Sequence, residues 1–177
     1  MKFSWFKRKS QQPAPVSREE MASWAHDVLK SSLENLGCQL QPQEDGTFNV
    51  DYQGEHFTLE IGGPYARVWD LNWAGINVAD PNFGKLREAV NATNYNWGPT
   101  VLLTQPDNAG TVCLHSKHEV LLSPQMSDTN GYVASILNSF FQKKEEVRSE
   151  FHDLLQKTET VRRPVGFNTN ASTSKNA

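Results

Sequence analysis

The chain has 177 residues, 37% of them hydrophobic and 10% aromatic, which is enough for one hydrophobic core and little for a second. Two cysteines, Cys38 and Cys113, exclude a disulfide scaffold or a four-cysteine zinc site, and no run of about 18 apolar residues is present to form a membrane-spanning helix. The formal net charge of -3 hides a segregation along the chain. Lys2, Lys7, Arg8, Lys9 and Arg18 open it without an acid, and Arg162, Arg163 and Lys175 close it without one. Residues 19–159 therefore hold all 20 acidic residues against nine basic ones, a net of -11. So acidic a body disfavours a nucleic-acid groove, and no nucleic-acid partner is expected. The basic opening lacks the apolar stretch of a secretory signal, so a soluble, cytoplasmic protein is the expectation.

Residues 1–16 read as a basic, flexible segment. Its first nine residues mix Phe3, Trp5 and Phe6 with Lys7, Arg8 and Lys9, a composition suited to contact with an anionic membrane surface at about 1 kcal/mol per basic residue. The plain alternative is a solubilising end. Ser17-Arg18-Glu19-Glu20 has the form of a capping box, and Met21, Trp24, Ala25, Val28, Leu29, Leu33 and Leu36 follow at helical spacing. Gly37 supplies the left-handed residue that ends such a helix, which spans about 18–36.

After Asp45-Gly46 the period falls to two. Phe48, Val50 and Tyr52 alternate with polar residues, as do Phe57, Leu59 and Ile61, with Gln53-Gly54 as the hairpin turn. Gly62-Gly63-Pro64 breaks the chain, and a third strand from Tyr65 to Trp73 completes an antiparallel meander. Strict alternation along it puts Arg67, Trp69, Leu71 and Trp73 on one face and Ala66, Val68 and Asp70 on the other. Asp80-Pro81 reads as an N-cap followed by proline at the first helical position, opening a short helix that ends near Asn94. Thr100–Thr104 and Thr111–Ser116 form a second hairpin, which Val120 to Leu122 extend. A long helix from about Asp128 to Lys157 carries an apolar stripe from Val133 to Leu155. That stripe outlasts a small sheet, so its last turns are expected to pack on the first helix or on a second subunit. Residues 17–160 thus form one α+β domain of helix, three-strand meander, helix, two-strand hairpin and long helix, and 161–177 read as a disordered tail.

This order resembles the fold shared by the YbjN family and the class I type III secretion chaperones. The residues that carry the resemblance are the apolar helix ending in Leu36-Gly37, the Phe48 and Phe57 hairpin, and the Asn91 to Asn94 end of the short helix. Thr111 to Leu114 and Val133 to Phe141 complete it. The resemblance implies a homodimer that binds a segment of a partner protein without ATP, in a chaperone-like or regulatory role. It implies no catalytic residue, metal or cofactor.

The side chains agree with a reading as a non-enzymatic binding module. His115 and His118 have opposite strand parity, and no metal-binding spacing of His and Cys occurs. Cys38 and Cys113 read as small buried hydrophobes. No Gly-x-Ser-x-Gly elbow or phosphate loop is present. Asp51 and Glu60 are expected to face each other across the first hairpin as solvated carboxylates. Trp69, Leu71 and Trp73, with Trp24 on the first helix, are the candidate partner-binding residues, because Trp is enriched at interface hot spots. Two readings of the Trp face stand: an interaction surface, or the core side of the strand. The alternative function is an enzyme or small-ligand-binding protein with a pocket between the sheet and the long helix.

Overall fold

A computed structural model describes residues 17–123 and 126–157; the segment 1–16, with Phe3, Trp5, Phe6, Lys7, Arg8 and Lys9, and the tail 161–177 lie outside the described residues. The first helix, α1 (Arg18–Asn35), begins as its sequence dictates. The Glu20 amide donates to the Ser17 hydroxyl at 3.1 Å, and the Ser17 amide donates to the Glu20 carboxylate at 2.8 Å. At its far end Gly37 takes φ 79°, which lets Cys38 N–H reach the Leu33 carbonyl and Gly37 N–H the Glu34 carbonyl. This is a Schellman closure, and it needs the positive φ that glycine supplies.

Six strands follow: β1 (Gln41–Pro42), β2 (Phe48–Tyr52), β3 (Glu55–Gly62), β4 (Tyr65–Asn77), β5 (Thr100–Leu103) and β6 (Thr111–Leu121). They form one antiparallel sheet in the order β1-β2-β3-β4-β6-β5. The meander and the later hairpin are therefore one sheet, joined where β6 lies against β4. Gln53 and Gly54, both at positive φ, make the tight β2–β3 turn. Two further helices are found among the described residues, α2 (Phe83–Thr93) and α3 (Thr129–Gln156). The α+β order expected from the sequence is found, with the two-residue strand β1 added ahead of the three-strand meander.

Alternation sorts the strands into two faces. One carries Val50, Phe57, Leu59, Ala66, Val68 and Val120, which pack with Leu29 and Leu33 of α1 and with Val133, Ile136, Leu137 and Phe140 of α3. A second cluster joins Leu86 and Val90 of α2, Val101, Leu114 and Val147 of α3, with Trp73 and Phe151 against it. The last turns of α3 thus pack on α2, where the sequence pattern pointed to α1 or a second subunit. The short helix begins two residues later than its proline suggests. Asp80 accepts the Asn82 amide at 2.7 Å, closing a turn through Pro81 before Phe83 enters the helix. No helix among the described residues is long and apolar enough to cross a membrane.

The outer edge of the sheet is closed by one side chain. Asn94, just past α2, accepts the Val101 amide at 2.8 Å and donates to the Val101 carbonyl at 3.0 Å, standing where a seventh strand would pair. Replacing Asn94 with Ala leaves both groups of a buried residue unpaired, at an expected loss of about 1–3 kcal/mol in urea unfolding. A variant that unfolds like the parent would show the clamp to be incidental.

Candidate interaction surface

The two faces of β4 do not keep their alternation to the end of the strand. Asp70 pairs with Ser116 and Ala74 with Leu114, so the three residues Leu71, Asn72 and Trp73 lie opposite the single residue His115. Asn72 takes φ 56°, a left-handed value uncommon for a residue with a side chain. This bulge turns Trp73 to the helix side, where its indole N–H donates to the Ser116 hydroxyl at 2.9 Å and the Lys144 ammonium lies 5.8 Å from its ring. Trp69 stays on the other side and Leu71 is exposed, so the single apolar face expected for Trp69, Leu71 and Trp73 is split by the bulge. Trp24 is half-buried against the main core, across the sheet from Trp69.

The side away from the helices is a polar ladder built around Trp69. The Trp69 indole N–H donates to Glu60 at 2.8 Å, and Lys117, opposite it on β6, holds its ammonium 5.8 Å from the ring. Arg67 bridges Glu60 on β3 and Glu119 on β6, each at 2.9 Å. The Arg67 guanidinium holds the Glu119 carboxyl below its ordinary value, and Glu119 in turn raises Arg67. Around this network stand Tyr65, Leu71 and Leu121, each more than two-fifths exposed. Asp51 does not face Glu60 as expected from the sequence. The register sets it against His56 at 2.7 Å, and Glu60 against Arg67.

Beneath the bulge lies an arrangement that no sequence pattern announces. Lys143 and Lys144, adjacent on α3, are both buried, with side chains 1% and 3% exposed. Lys144 pairs with Asp70 at 2.7 Å and Glu55 at 2.8 Å. Lys143 donates to the Thr93 carbonyl at the end of α2 at 2.8 Å and pairs with Glu146 at 2.9 Å. Burial raises the Asp70 carboxyl above its ordinary value, outweighing the hydrogen bond and charge of Lys144 that lower it. Nearby Glu55 adds to the rise, and His115 opposes it.

The core between the sheet, α1 and the first turns of α3 is closely packed. Its residual cavity, lined by Leu29, Leu59, Val68, Val120, Val133 and Leu137 among others, measures about 10 Å³, room for one water at most. Among the described residues no three His, Cys, Asp or Glu side chains converge in a way that would hold a metal ion. Cys38 is buried and its thiol is pushed up by burial, while Cys113 is partly buried.

No protein-family model matches the chain, and no curated protein matches it. Solved structures do. YbjN from E. coli, a proposed transcription regulator, is similar over 72% of this chain and 92% of its own, with 13% identity and a TM-score of 0.48. An uncharacterised protein from Methanothermobacter thermautotrophicus is similar over 73% and 97%, with 15% identity and a TM-score of 0.47.

Trp73→Ala removes a ring packed in the second cluster and is expected to cost about 3 kcal/mol, whereas Trp69→Ala, on the outer face, is expected to cost far less. Urea unfolding of the two variants side by side checks the division, and equal losses would contradict it. For Asp70 the pH dependence is fixed by its raised pKa. A carboxyl protonated more readily in the folded chain stabilises it fully below the unfolded value of about 3.9 and loses that contribution as pH rises through the folded value. Relative to Asp70→Asn, the parent is therefore expected to gain stability as pH falls through that window. A difference that stays flat, or moves toward the variant, would count against it.

Proposed function

We propose that the chain is a non-enzymatic protein-binding module that takes a partner segment on the uncovered face of its sheet, over Trp69. The observation that supports this is the two-sidedness of the sheet: α1 and α3 both lie on one side, and no described helix covers the other. Such a surface is normally a solvated polar face. Here it also carries a tryptophan pinned by Glu60 and Lys117, ringed by exposed Tyr65, Leu71 and Leu121. A ring already held in place loses little entropy when a partner covers it, and charged residues around it exclude water and set register. The chaperone-like or regulatory role implied by the sequence resemblance is a role of this kind. Trp24 and Trp73, on the helix side, support the fold in this reading.

The test is affinity purification of the tagged full chain from its own host after mild crosslinking, with Trp69→Ala as the contrast. A stoichiometric partner is expected with the parent and a recovery at least tenfold lower with the variant, equivalent to about 1.4 kcal/mol or more. Retention of the partner by a folded Trp69→Ala chain would refute the assignment. Recovery of the crosslinked chain alone, lost in the same variant, would give the face to a second copy and make the protein the homodimer implied by the resemblance.

A further inference from the structure

The loop between α2 and β5 exposes two large rings that neither the core nor the sheet face uses. Tyr95 is 92% exposed and Trp97 75% exposed, the two most exposed large hydrophobic side chains among the described residues. Leaving such rings in water forgoes the burial that aromatic residues ordinarily gain. A floppy loop would make that unremarkable, but this loop is fastened at each step. Lys143 holds the Thr93 carbonyl, and Asn94 clamps Val101 through two hydrogen bonds. The Asn96 side chain, between the two rings in sequence, donates to Glu146 on α3 at 3.3 Å. The Trp97 ring meets the His118 ring of β6 edge to face at 5.9 Å. The loop therefore presents its rings in a fixed arrangement, the preorganisation that a binding element needs.

What lies beside the rings selects the occupant. An open cleft of about 610 Å³ between the end of α2 and α3 is lined by Thr93, Asn96, Gln142, Ser149 and three carboxylates, Glu145, Glu146 and Glu150. Glu146 is occupied by Lys143 and Asn96, and Glu145 lies 3.8 Å from the exposed Arg148 guanidinium. For Glu150 no cation stands within ion-pair distance among the described residues. Such a cleft suits a segment that carries guanidinium or ammonium groups, whose N–H groups reach the carboxylates while neighbouring parts of the segment lie on the rings, which flank Asn96 in sequence where it joins the cleft. The same carboxylates repel nucleic acid and anionic lipid.

We propose that the Tyr95–Trp97 loop and the adjoining acidic cleft on α3 form a docking site for an arginine- or lysine-bearing segment of a partner protein. The site is separate from the Trp69 face and goes beyond the function proposed for it. The two stand or fall independently, because the residues to be varied do not overlap.

The test uses the full chain and a fluorescein-labelled nonapeptide of alternating Gly and Arg, read by fluorescence anisotropy at low salt. A second peptide has citrulline in place of every Arg, which keeps the shape and removes the charge. The expected result is binding of the Arg peptide and none of the citrulline peptide. Affinity is expected to fall about tenfold in Trp97→Ala and by a similar factor in the double variant Glu145→Gln, Glu150→Gln, with Trp69→Ala unchanged. All these positions are partly or fully exposed, and matching urea unfolding curves will confirm that each variant folds. Equal affinity in parent, Trp97→Ala and the double carboxylate variant would reduce the binding to general attraction by an acidic body and overturn the site. Equal binding of the citrulline peptide, or preference for a single-stranded oligonucleotide over the Arg peptide, would overturn it as well.

Discussion

The ion pair between Lys144 and Asp70 ties the centre of the sheet to the middle of α3, and most of the molecule's arrangement follows from it. Asp70 is the last regularly paired residue of β4 before the bulge. Its carboxylate sits on the buried face, where an unpaired charge would be costly, so a cation has to be supplied from the helix above. Lys144 supplies it, takes Glu55 of β3 as a second anion, and lies over the Trp73 ring that the bulge has turned inward. One ammonium group thereby fixes the register of β3 and β4 against α3 and gives Trp73 a reason to face the helices. Buried pairs of this kind are weak contributors to net stability. Their strength lies in what happens when one member is missing, since the survivor is left buried and unpaired.

Lys143, the next residue along, performs the matching task at the other end of the core. It cannot face the same way as Lys144, because neighbours on a helix point about 100° apart. It reaches the carbonyl of Thr93, where the last turn of α2 leaves acceptors unsatisfied and the helix dipole favours a positive charge. Two consecutive lysines thus bind α3 to the sheet on one side and to α2 on the other. This helps to hold a helix of 28 residues along its length, its first half packed with α1 in one cluster and its second half with α2 in the other.

Local signals in the sequence carry the fold well. The capping box at Ser17, the glycine stop at Gly37, the Gln53-Gly54 turn and the period-two runs each act over a few residues, and the structure places each where its pattern does. Patterns that depend on partners distant in sequence are a different matter. Strict alternation assigns Trp69 and Trp73 to one face, and nothing in Asp70-Leu71-Asn72-Trp73 declares a bulge, because Asn72 tolerates left-handed backbone without requiring it. Asp51 and Glu60 appear as an outward pair until the register is known, and then each proves to have a basic partner across the strand. Lys143 and Lys144 sit beside Gln142 and Glu145 in a stretch that reads as a solvated helix face, since lysine is rarely buried unless paired and, Glu146 aside, their partners lie 50 residues or more away in sequence. Tyr95 and Trp97 belong to a short loop, where no periodicity tells whether a ring is buried or exposed.

The same logic explains why the sheet can expose one face without inviting other strands. A bare face is harmless if its edges are closed, because strand addition proceeds through unpaired edge amides and carbonyls. At one edge β1 has two residues and ends in proline, which has no amide to donate. At the other, Asn94 occupies both outward groups of Val101. What remains open is side-chain surface, with Trp69 set in a ladder of alternating charge on one side and the fastened aromatic loop beyond β5. Backbone pairing contributes affinity with little regard to sequence, whereas side-chain surfaces discriminate. With one sheet edge short and proline-ended and the other capped at Val101, the contacts proposed for Trp69 and for the Tyr95–Trp97 loop fall to side chains more than to backbone.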